Sequence, residues 1–512
     1  MTTIRKTLSA LCLWALGALS LHAGGILTNT NNSIRFNRMF AREGAIAIDG
    51  VYSNPAGVAY LSEGFHLSIN NQSAFQTRTI WSGMQVRGLE GTPFFTPFSM
   101  NGGNELGIKK YKGEATAPIL PSIQAAYNKG NWSFQAGFCV NGGGGKCTFN
   151  HGLASFERTI ALIPMALAQM GMPSPTPGYS VSSYLYGRQY VLGVQLGAAY
   201  KFNDHLSVYG GGRFNIVSNK YEGYIAGISA NIGGVDENLH DFFGVKAGEA
   251  ATAVAYFTQL AANATSEAQR QAYLEQAAVY QRTEQTLVRA QTAVADKHLD
   301  CSQSGWSITP IIGVNYRVND KLNIGARLEI TTNFNIENHT RRDDTGLFAD
   351  GVNTPHDLPG LLALGAQYEV LPRLRVGVGY HYFFDKDAEM ANGKQKYLSG
   401  NTQEYLAGIE YDITDKIQVS MGGQKTNYRL GDGKFLNDMS FVTSSYSLGF
   451  GVGVKVAKNV TVNAAYFWTN YKHFKKEYDE TVSLLGNDIQ VHNTDEFTRT
   501  NKVFGVGVDI DF

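Results

Sequence analysis

The chain has little cysteine, proline and charge for its length. Its 512 residues include 4 cysteines and 13 prolines, charged residues make up 17%, and acidic and basic side chains are equal in number at 43 each. A net charge of zero gives no basic surface for nucleic acid, so we exclude a nucleic-acid-binding protein. Beyond Gly25 no apolar run reaches the 18 or more residues that a transmembrane helix needs, which excludes a helical membrane protein.

The chain begins with a segment typical of a secretory signal peptide. MTTIRKTLSALCLWALGALSLHAGG contains two basic residues, an apolar run from Leu8 to Leu21 and small Ala23. The apolar run is too short for a membrane anchor. We therefore predict that residues 1–23 are a signal peptide and that a Gram-negative bacterium exports the rest.

Glycine and aromatic residues are abundant instead, with 57 Gly, 27 Tyr and 28 Phe. VFGVGVDIDF at 503–512 has apolar residues on one face and glycine or aspartate on the other. The same alternation occurs at 190–202 and in LSVYGGGRFNI, KLNIGARLEIT, LRVGVGYHYFF, YSLGFGVGVKV and VTVNAAYFW. A single strand of this kind also fits a soluble sandwich, but many of them are typical of strands that face lipid on one side.

Short polar turns alternate with long connections along the chain. The turns are NKGN at 128, FNDH at 202, VNDK at 318, LPR at 371, TDK at 414 and AKN at 457. We count fourteen strands, which start near residues 65, 115, 132, 184, 205, 306, 321, 360, 374, 402, 417, 444, 460 and 498. The sequence therefore predicts an all-β fold, a transmembrane antiparallel β-barrel over residues 65–512 in the cell outer membrane, with long extracellular loops at about 147–183 and 230–304.

A rigid turn precedes the first strand in GVYSNPAGVAYL at 50–61. Pro55 fixes its φ angle and lacks a donor, Asn54 can bond nearby backbone, and Gly57 permits a tight reversal. An ordinary turn that leads into an edge strand is the alternative interpretation.

The Asn-Pro-Ala sequence and the fourteen strands together resemble the FadL family of outer-membrane transporters for long-chain fatty acids and hydrocarbons such as toluene. The resemblance implies that residues 24–64 form a hatch inside the barrel, marked by Asn54, Pro55, Ala56 and Gly57. It also implies passive uptake of a hydrophobic ligand, with capture at the extracellular loops, rearrangement of the hatch and lateral exit through a kinked third strand.

Four consecutive glycines follow WSFQAGFCV of the predicted third strand. Gly142, Gly143, Gly144 and Gly145 would weaken ladder packing and favour a bulge or bend. The resemblance implies that they form the kink and the lateral opening, whereas a flexible loop at the end of the strand is the alternative.

Two cysteines flank these glycines. Cys139 and Cys147, together with Cys301, leave an odd number of thiols in the mature chain. A bridge from Cys139 to Cys147 stays open, because their spacing does not establish a geometry that a disulfide can span.

The two longest loops differ in character. HGLASFERTIALIPMALAQMGM at 151–172 is too apolar for a solvated loop, so it either packs on the protein or binds a ligand. We predict ligand capture by its flexible or branched side chains, namely Ile160, Leu162, Ile163, Met165, Leu167 and Met170. The later loop has an Ala-, Glu- and Gln-rich stretch at about 244–298 that predicts two helices, the second with a capping box of Ser266 and Gln269.

Several charged residues face the interior of the predicted barrel. Strand parity places Arg213, Arg327 and Glu329 inward, as well as Arg375 and His381. Arg213 and Arg327 are candidates for contact with a carboxylate head group or with the hatch. The alternative is that inward charges pair with each other, as Arg327 and Glu329 are spaced to do.

The sequence gives no reason to expect catalysis. It has no G-x-S-x-G, no H-E-x-x-H and no metal-ligand spacing, so we predict a non-enzyme without metal or cofactor. We expect a monomer surrounded by outer-membrane lipid. The alternative function is a barrel-anchored surface or secretion adaptor, which binds other proteins through its helical loops.

Overall fold

The computed structural model describes residues 27–484 and 487–512, so the predicted signal peptide, 1–23, lies outside the described residues. The described chain contains these strands: β1 (Gly64–Val86), β2 (Ile108–Lys129), β3 (Trp132–Phe149), β4 (Tyr179–Lys201), β5 (Leu206–Ile232), β6 (Val235–Asn238), β7 (Lys297–Arg317), β8 (Leu322–Glu329), β9 (Asn335–Asp343), β10 (Asn353–Pro355), β11 (Leu361–Leu371), β12 (Leu374–Phe383), β13 (Gln403–Asp412), β14 (Ile417–Asn427), β15 (Ser445–Ala457), β16 (Val460–Tyr471), β17 (Phe474–Leu484) and β18 (Asn487–Asp511). Fourteen of them form a closed antiparallel barrel, in which β1 pairs with β18. The others, β6, β9, β10 and β17, extend the sheet beyond one end of the wall.

The wall has the predicted alternation of apolar and polar faces. On β7, Trp306 and Ile308 are 67% and 59% exposed on the outer surface, whereas Ser307 and Thr309 between them are buried. Only a closed barrel satisfies the backbone groups of strands in lipid, so the outward apolar side chains and the closed ladder together identify a membrane-spanning barrel.

Short turns join the strands at one end and long loops at the other. The turns between β4 and β5, β7 and β8, and β13 and β14 are four residues each. By the usual asymmetry of such barrels, the end with the short turns is periplasmic. The fourteen predicted strands are confirmed, but β7 and β18 start at Lys297 and Asn487 rather than near 306 and 498. On the outer face their first residues are polar, as His298 and Asp300 of β7 and Asp488 and Gln490 of β18 are, so the lipid-facing pattern begins only later.

The helices lie in the hatch and in two loops. The hatch contains α1 (Ile34–Arg38) and α2 (Gly50–Ser53), the loop after β3 contains α3 (Ala154–Ala161) and α4 (Ile163–Gln169), and the loop after β5 contains α5 (Leu239–Ala262) and α6 (Glu267–Ala293). Short 3₁₀ turns cover Gly57–Tyr60, Pro97–Asn101, Asp385–Asp387 and Ala391–Tyr397.

The two predicted loop helices are present as α5 and α6. The side chain of Ser266 accepts a hydrogen bond from the backbone N–H of Gln269 at 3.2 Å and caps α6. The loops that contain the two pairs of helices span residues 150–178 and 233–296. Each loop is therefore shorter at both ends than the predicted loops at about 147–183 and 230–304. Within the described ranges, no helix is long and apolar enough to span a membrane.

Candidate functional site: the hatch and the third strand

Residues 27–63 fill the interior of the barrel. Phe40 and Arg38 are fully buried, and α1 packs on β15 and β16. The segment from the described start of the chain to β1 is therefore enclosed by the wall, where the resemblance placed a hatch.

The Asn-Pro-Ala-Gly turn contacts four strands of the wall. The carbonyl oxygen of Pro55 accepts from Gln135 of β3 at 2.7 Å, and that of Ala56 accepts from Ser207 of β5 at 2.7 Å. The Nδ2 group of Asn54 donates to Oδ1 of Asn315 on β7 at 2.8 Å. On β8, Gly325 lies against Asn54 and has no room for a side chain, because a Cβ atom there would overlap the carbonyl oxygen of Glu43 in the hatch.

Asn54 also shapes the turn itself. Its Oδ1 accepts from the backbone N–H of Gly57 at 3.1 Å, and its Nδ2 donates to the carbonyl of Ala45 at 3.2 Å. A Cβ atom on Gly57 would lie 2.4 Å from Asn54 Nδ2, so a side chain at that position would displace the Asn54 amide. The side chain of Asn54, which is 1% exposed, thus ties the hatch to the wall and closes the turn.

Charged contacts hold the hatch on the opposite wall. His381 of β12 lies between two buried carboxylates, 2.7 Å from Oε1 of Glu43 in the hatch and 2.9 Å from Oε2 of Glu404 on β13. Arg35 of α1 forms an ion pair with Asp509 of β18 at 2.7 Å. Because a buried charge is destabilising unless it is paired, these contacts favour a single position of the hatch inside the barrel.

Arg213 and Arg327 lie in one buried cluster with the hatch. Arg213 forms a bidentate pair with Glu329, at 2.7 and 3.0 Å, and Arg327 lies 3.5 Å from the same carboxylate. The ring of Tyr52 in the hatch lies 5.0 Å from the guanidinium carbon of Arg213 and 4.4 Å from that of Arg327. In this conformation both arginines therefore contact the hatch and an inward carboxylate.

The glycines of β3 interrupt the wall. β3 runs on through Gly142, Gly143, Gly144 and Gly145 to Phe149, so it does not end before them. Its ladder to β4 shifts register between Val140 and Gly142 and again between Gly143 and Gly145. Gly143 has a φ of 64°, which L side chains rarely adopt. Towards β2, pairing stops after Thr116 with Lys146 and resumes at Ile123 with Phe138.

Residues 117–122 of β2 and 139–145 of β3 thus have no partners in each other's ladder. We call this break the wall gap. Pro118 and Pro121 both lie in β2 at the gap, and they are a sequence signal for it that the strand prediction did not use. Proline cannot donate a ladder hydrogen bond and is confined to edges and bulges within sheets.

The start of the hatch occupies the wall gap from inside. The backbone N–H of Asn29 donates to the carbonyl of Asn141 at 2.7 Å, and its side chain donates to the carbonyls of Val140 and Gly143 at 3.1 and 2.9 Å. The cavity left between the hatch and the gap has a volume of about 20 Å³, which is room for about one water molecule. The gap is therefore closed by Asn29 in this conformation.

The apolar loop after β3 packs on the protein. Most of its candidate side chains are at most 6% exposed, namely Ile160, Leu162, Ile163, Met165 and Leu167, whereas Met170 is 38% exposed. Glu157 of α3 accepts from Lys109 at 2.7 Å, from Tyr111 at 2.8 Å and from Tyr179 at 2.7 Å. These bonds hold α3 across the extracellular mouth, so a ligand reaches the apolar side chains only when the helices move.

The three described cysteines, Cys139, Cys147 and Cys301, are free and buried. Cys139 and Cys147 lie on either side of the glycines of β3 without a bridge between them. Across 27–484 and 487–512, no three His, Cys, Asp or Glu side chains gather as metal ligands.

A solved structure shares this architecture. A Pseudomonas aeruginosa FadL homologue aligns over 96% of this chain and 100% of its own, with a TM-score of 0.59 and 13% sequence identity. The chain has the fold of a FadL homologue. The toluene transporters TodX of Pseudomonas putida and TbuX of Ralstonia pickettii align over 91% of this chain and 94% of their own, at TM-scores of 0.48 and 0.45 and identities of 10% and 14%. No protein-family model and no curated protein matches the sequence.

Proposed function

We propose that the protein carries hydrophobic small molecules, such as long-chain fatty acids, passively across the outer membrane. The ligand is captured at the extracellular loops, the hatch rearranges, and the ligand leaves sideways through the wall gap into the membrane. The observation that carries this proposal is the missing ladder between residues 117–122 and 139–145, with a hatch residue seated in it.

The route needs only local movement. Asn29 makes three hydrogen bonds to the carbonyls of β3, each of which contributes about 0.5–1.5 kcal/mol. Withdrawal of this segment would leave β3 attached to β4 and open the gap, while the rest of the barrel keeps its ladders. The free energy of this movement is small enough for ligand binding to offset it in a passive transporter.

The chemistry of the route favours the apolar part of a ligand. Each buried methylene contributes about 0.8 kcal/mol, whereas an exposed ion pair contributes about 0.2–1 kcal/mol. Because Arg213 and Arg327 already pair with Glu329, the acyl chain dominates affinity. Hydrocarbons without a carboxylate therefore fit the same route.

A variant that changes the β3 backbone at the wall gap tests this route. Gly143→Val places a Cβ atom 2.4 Å from the carbonyl of Gln189 at a positive φ, so the bulge must rearrange. We expect cells that carry this variant to bind a labelled acyl chain at their surface and to deliver much less of it inside. Gly210→Val is the matched control, because nothing lies within 4 Å of its Cβ position. Normal delivery by a correctly inserted Gly143→Val barrel would refute the lateral route.

A second function is favoured by the helical hairpin of α5 and α6. Its helices of 24 and 27 residues are about 36 and 40 Å long, and they expose Val245, Tyr256 and Leu274. Such a surface suits a barrel-anchored adaptor that binds another protein. Removal of the hairpin distinguishes the functions, since an adaptor loses its activity and a transporter keeps it.

A further inference from the structure

Three basic side chains lie side by side on the outer surface of β3, β4 and β5, and we call them the cation row. Lys146 pairs directly with Arg188 in the ladder, and Arg188 pairs directly with Lys220. Cys147 and Gln189, which follow two of these residues in their strands, are buried inside the barrel. Because side chains alternate between the two faces of a strand, the cation row faces outward.

The cation row lies at the level of lipid head groups on the extracellular side. On the outer face of β4, two tyrosines, Tyr190 and Tyr200, are ten residues apart. The outward residues between them are apolar, namely Leu192, Val194, Leu196 and Ala198. Ten residues span about 34 Å along a strand, or about 26 Å along the membrane normal at a tilt of about 40°, which matches an apolar band of about 25 Å. Arg188 lies two residues beyond Tyr190, so the cation row is about 5 Å outside the hydrocarbon.

Two members of the cation row have no acidic partner. Lys220 forms ion pairs with Asp300 and with Glu222, the latter at 3.3 Å. By contrast, among the described residues no carboxylate oxygen lies within 4.0 Å of the charged groups of Lys146 and Arg188. These two side chains therefore present two positive charges to the head-group layer.

The position of these two charges is unfavourable without an anion. Like charges directly opposite each other destabilise a pair of strands, and Lys146 and Arg188 are such a pair. Glu114 lies on β2 in the next row, but it already pairs with Lys112 at 2.7 Å. An anion bound between Lys146 and Arg188 would offset their repulsion.

We propose that Lys146 and Arg188 bind a phosphate group of a phosphorylated lipid in the outer leaflet. Side chains directly opposite in an antiparallel pair have Cβ atoms about 4.5–5.5 Å apart, so both cations can contact one phosphate. Arginine offers a planar pair of donors to its oxygens, and lysine offers a compact charge. The acyl chains then lie along the apolar face of β4 below Arg188. The lipid stands directly above the wall gap, because Lys146 and Thr116 form the first ladder pair above that gap.

Native mass spectrometry of the full-length mature barrel in detergent tests the proposal. The probes are lipid A with two phosphates and the same lipid after removal of both phosphates. For Lys146→Gln/Arg188→Gln we expect the dissociation constant of phosphorylated lipid A to rise on the order of 30-fold, with little change for the dephosphorylated lipid. Lys146→Arg/Arg188→Lys keeps both charges and should retain most of the binding.

The matched control is Lys425→Gln/Lys502→Gln. Both lysines are exposed on the outer face, but their neighbours across the ladder are aromatic residues rather than a second cation, namely Tyr405 and Tyr446 for Lys425 and Phe75 and Trp468 for Lys502. This variant loses the same charge and should bind phosphorylated lipid A as the parent does.

Four outcomes would overturn the proposal, given a barrel whose heat-modifiable gel mobility shows that it is folded. They are equal binding of phosphorylated lipid A by the parent and by Lys146→Gln/Arg188→Gln, an equal loss in the matched control, and equal binding of both lipids by the parent. The fourth is displacement of the lipid by inorganic phosphate at the same concentration, which would assign the two cations to a free anion.

Discussion

Asn54→Ala should release the hatch without unfolding the barrel. The substitution removes three hydrogen bonds of a buried side chain, to Asn315, Ala45 and Gly57. In the variant, Asn315 still accepts a hydrogen bond from Asn323 at 2.8 Å, and the N–H of Gly57 still donates to the backbone carbonyl of residue 54 at 3.0 Å. Only the bond to Asn315 joins the hatch to the wall, because Ala45 and Gly57 belong to the hatch itself. At about 1 kcal/mol for that bond, the seated hatch loses about 1 kcal/mol relative to a released hatch. The released population should therefore rise about fivefold.

Thiol labelling measures this population. Ser53, which is 6% exposed in the hatch, is replaced with cysteine in a chain whose three buried cysteines are alanine. When release and return are fast relative to labelling, the rate with a water-soluble maleimide follows the released fraction. We expect Asn54→Ala to increase the rate about fivefold, while the heat-modifiable gel mobility of the barrel persists.

The matched control is Asn319→Ala. Its side-chain oxygen accepts two hydrogen bonds, from the N–H groups of Lys321 and Leu322 at 2.9 Å each, but it lies in a periplasmic turn. Labelling of a folded Asn54→Ala barrel at the parent rate, or equal acceleration by Asn319→Ala, would refute the role of Asn54 as an anchor.

Three further predictions concern the extracellular side. Glu157→Gln removes the charge partner of Lys109 in a partly buried ion pair and should destabilise α3 by about 2 kcal/mol, seen as faster protease cleavage of its loop. Glu249→Gln, in an exposed ion pair with Lys246, is the control and should change cleavage little. Burial and a second nearby lysine lower the pKa of Lys394 from 10.5 to about 7. Because the unfolded loop binds this proton more readily than the folded loop, the stability of the folded loop should rise between pH 7 and 10 and stay constant below pH 7. Protection of the loop from protease should follow the same pH dependence, and Lys394→Met should abolish that dependence. Replacement of residues 239–293 by a short turn should leave a folded barrel with unchanged uptake, and loss of uptake would contradict the proposed transport role of the remaining chain.

The sequence predicts the barrel well because its signals are local. The alternation of faces within a strand and the short polar turns between strands depend on neighbouring residues, and they predict the fourteen strands and their inward faces. The extensions of β7 and β18 were missed, because outside lipid a strand needs no apolar face.

The contacts of the hatch are harder to predict, because they join distant segments. Asn29 bonds Gly143, 114 residues away, and nothing near either residue indicates the pair. The sequence predicted that Arg327 and Glu329 pair, but Glu329 lies closer to Arg213 of another strand. Pro118 and Pro121 were a usable local signal, since two prolines within one wall strand predict a break in its ladder.

Uptake into vesicles tests the account most directly. The mature barrel is placed in liposomes, and a fluorescent long-chain fatty acid is added outside with a quencher that cannot cross the membrane. We expect saturable transfer into the bilayer that is faster than in protein-free liposomes, that increases with Asn29→Ala and that decreases with Gly143→Val. Transfer at the protein-free rate by a correctly folded barrel, with no response to either variant, would contradict a transport route through the wall gap.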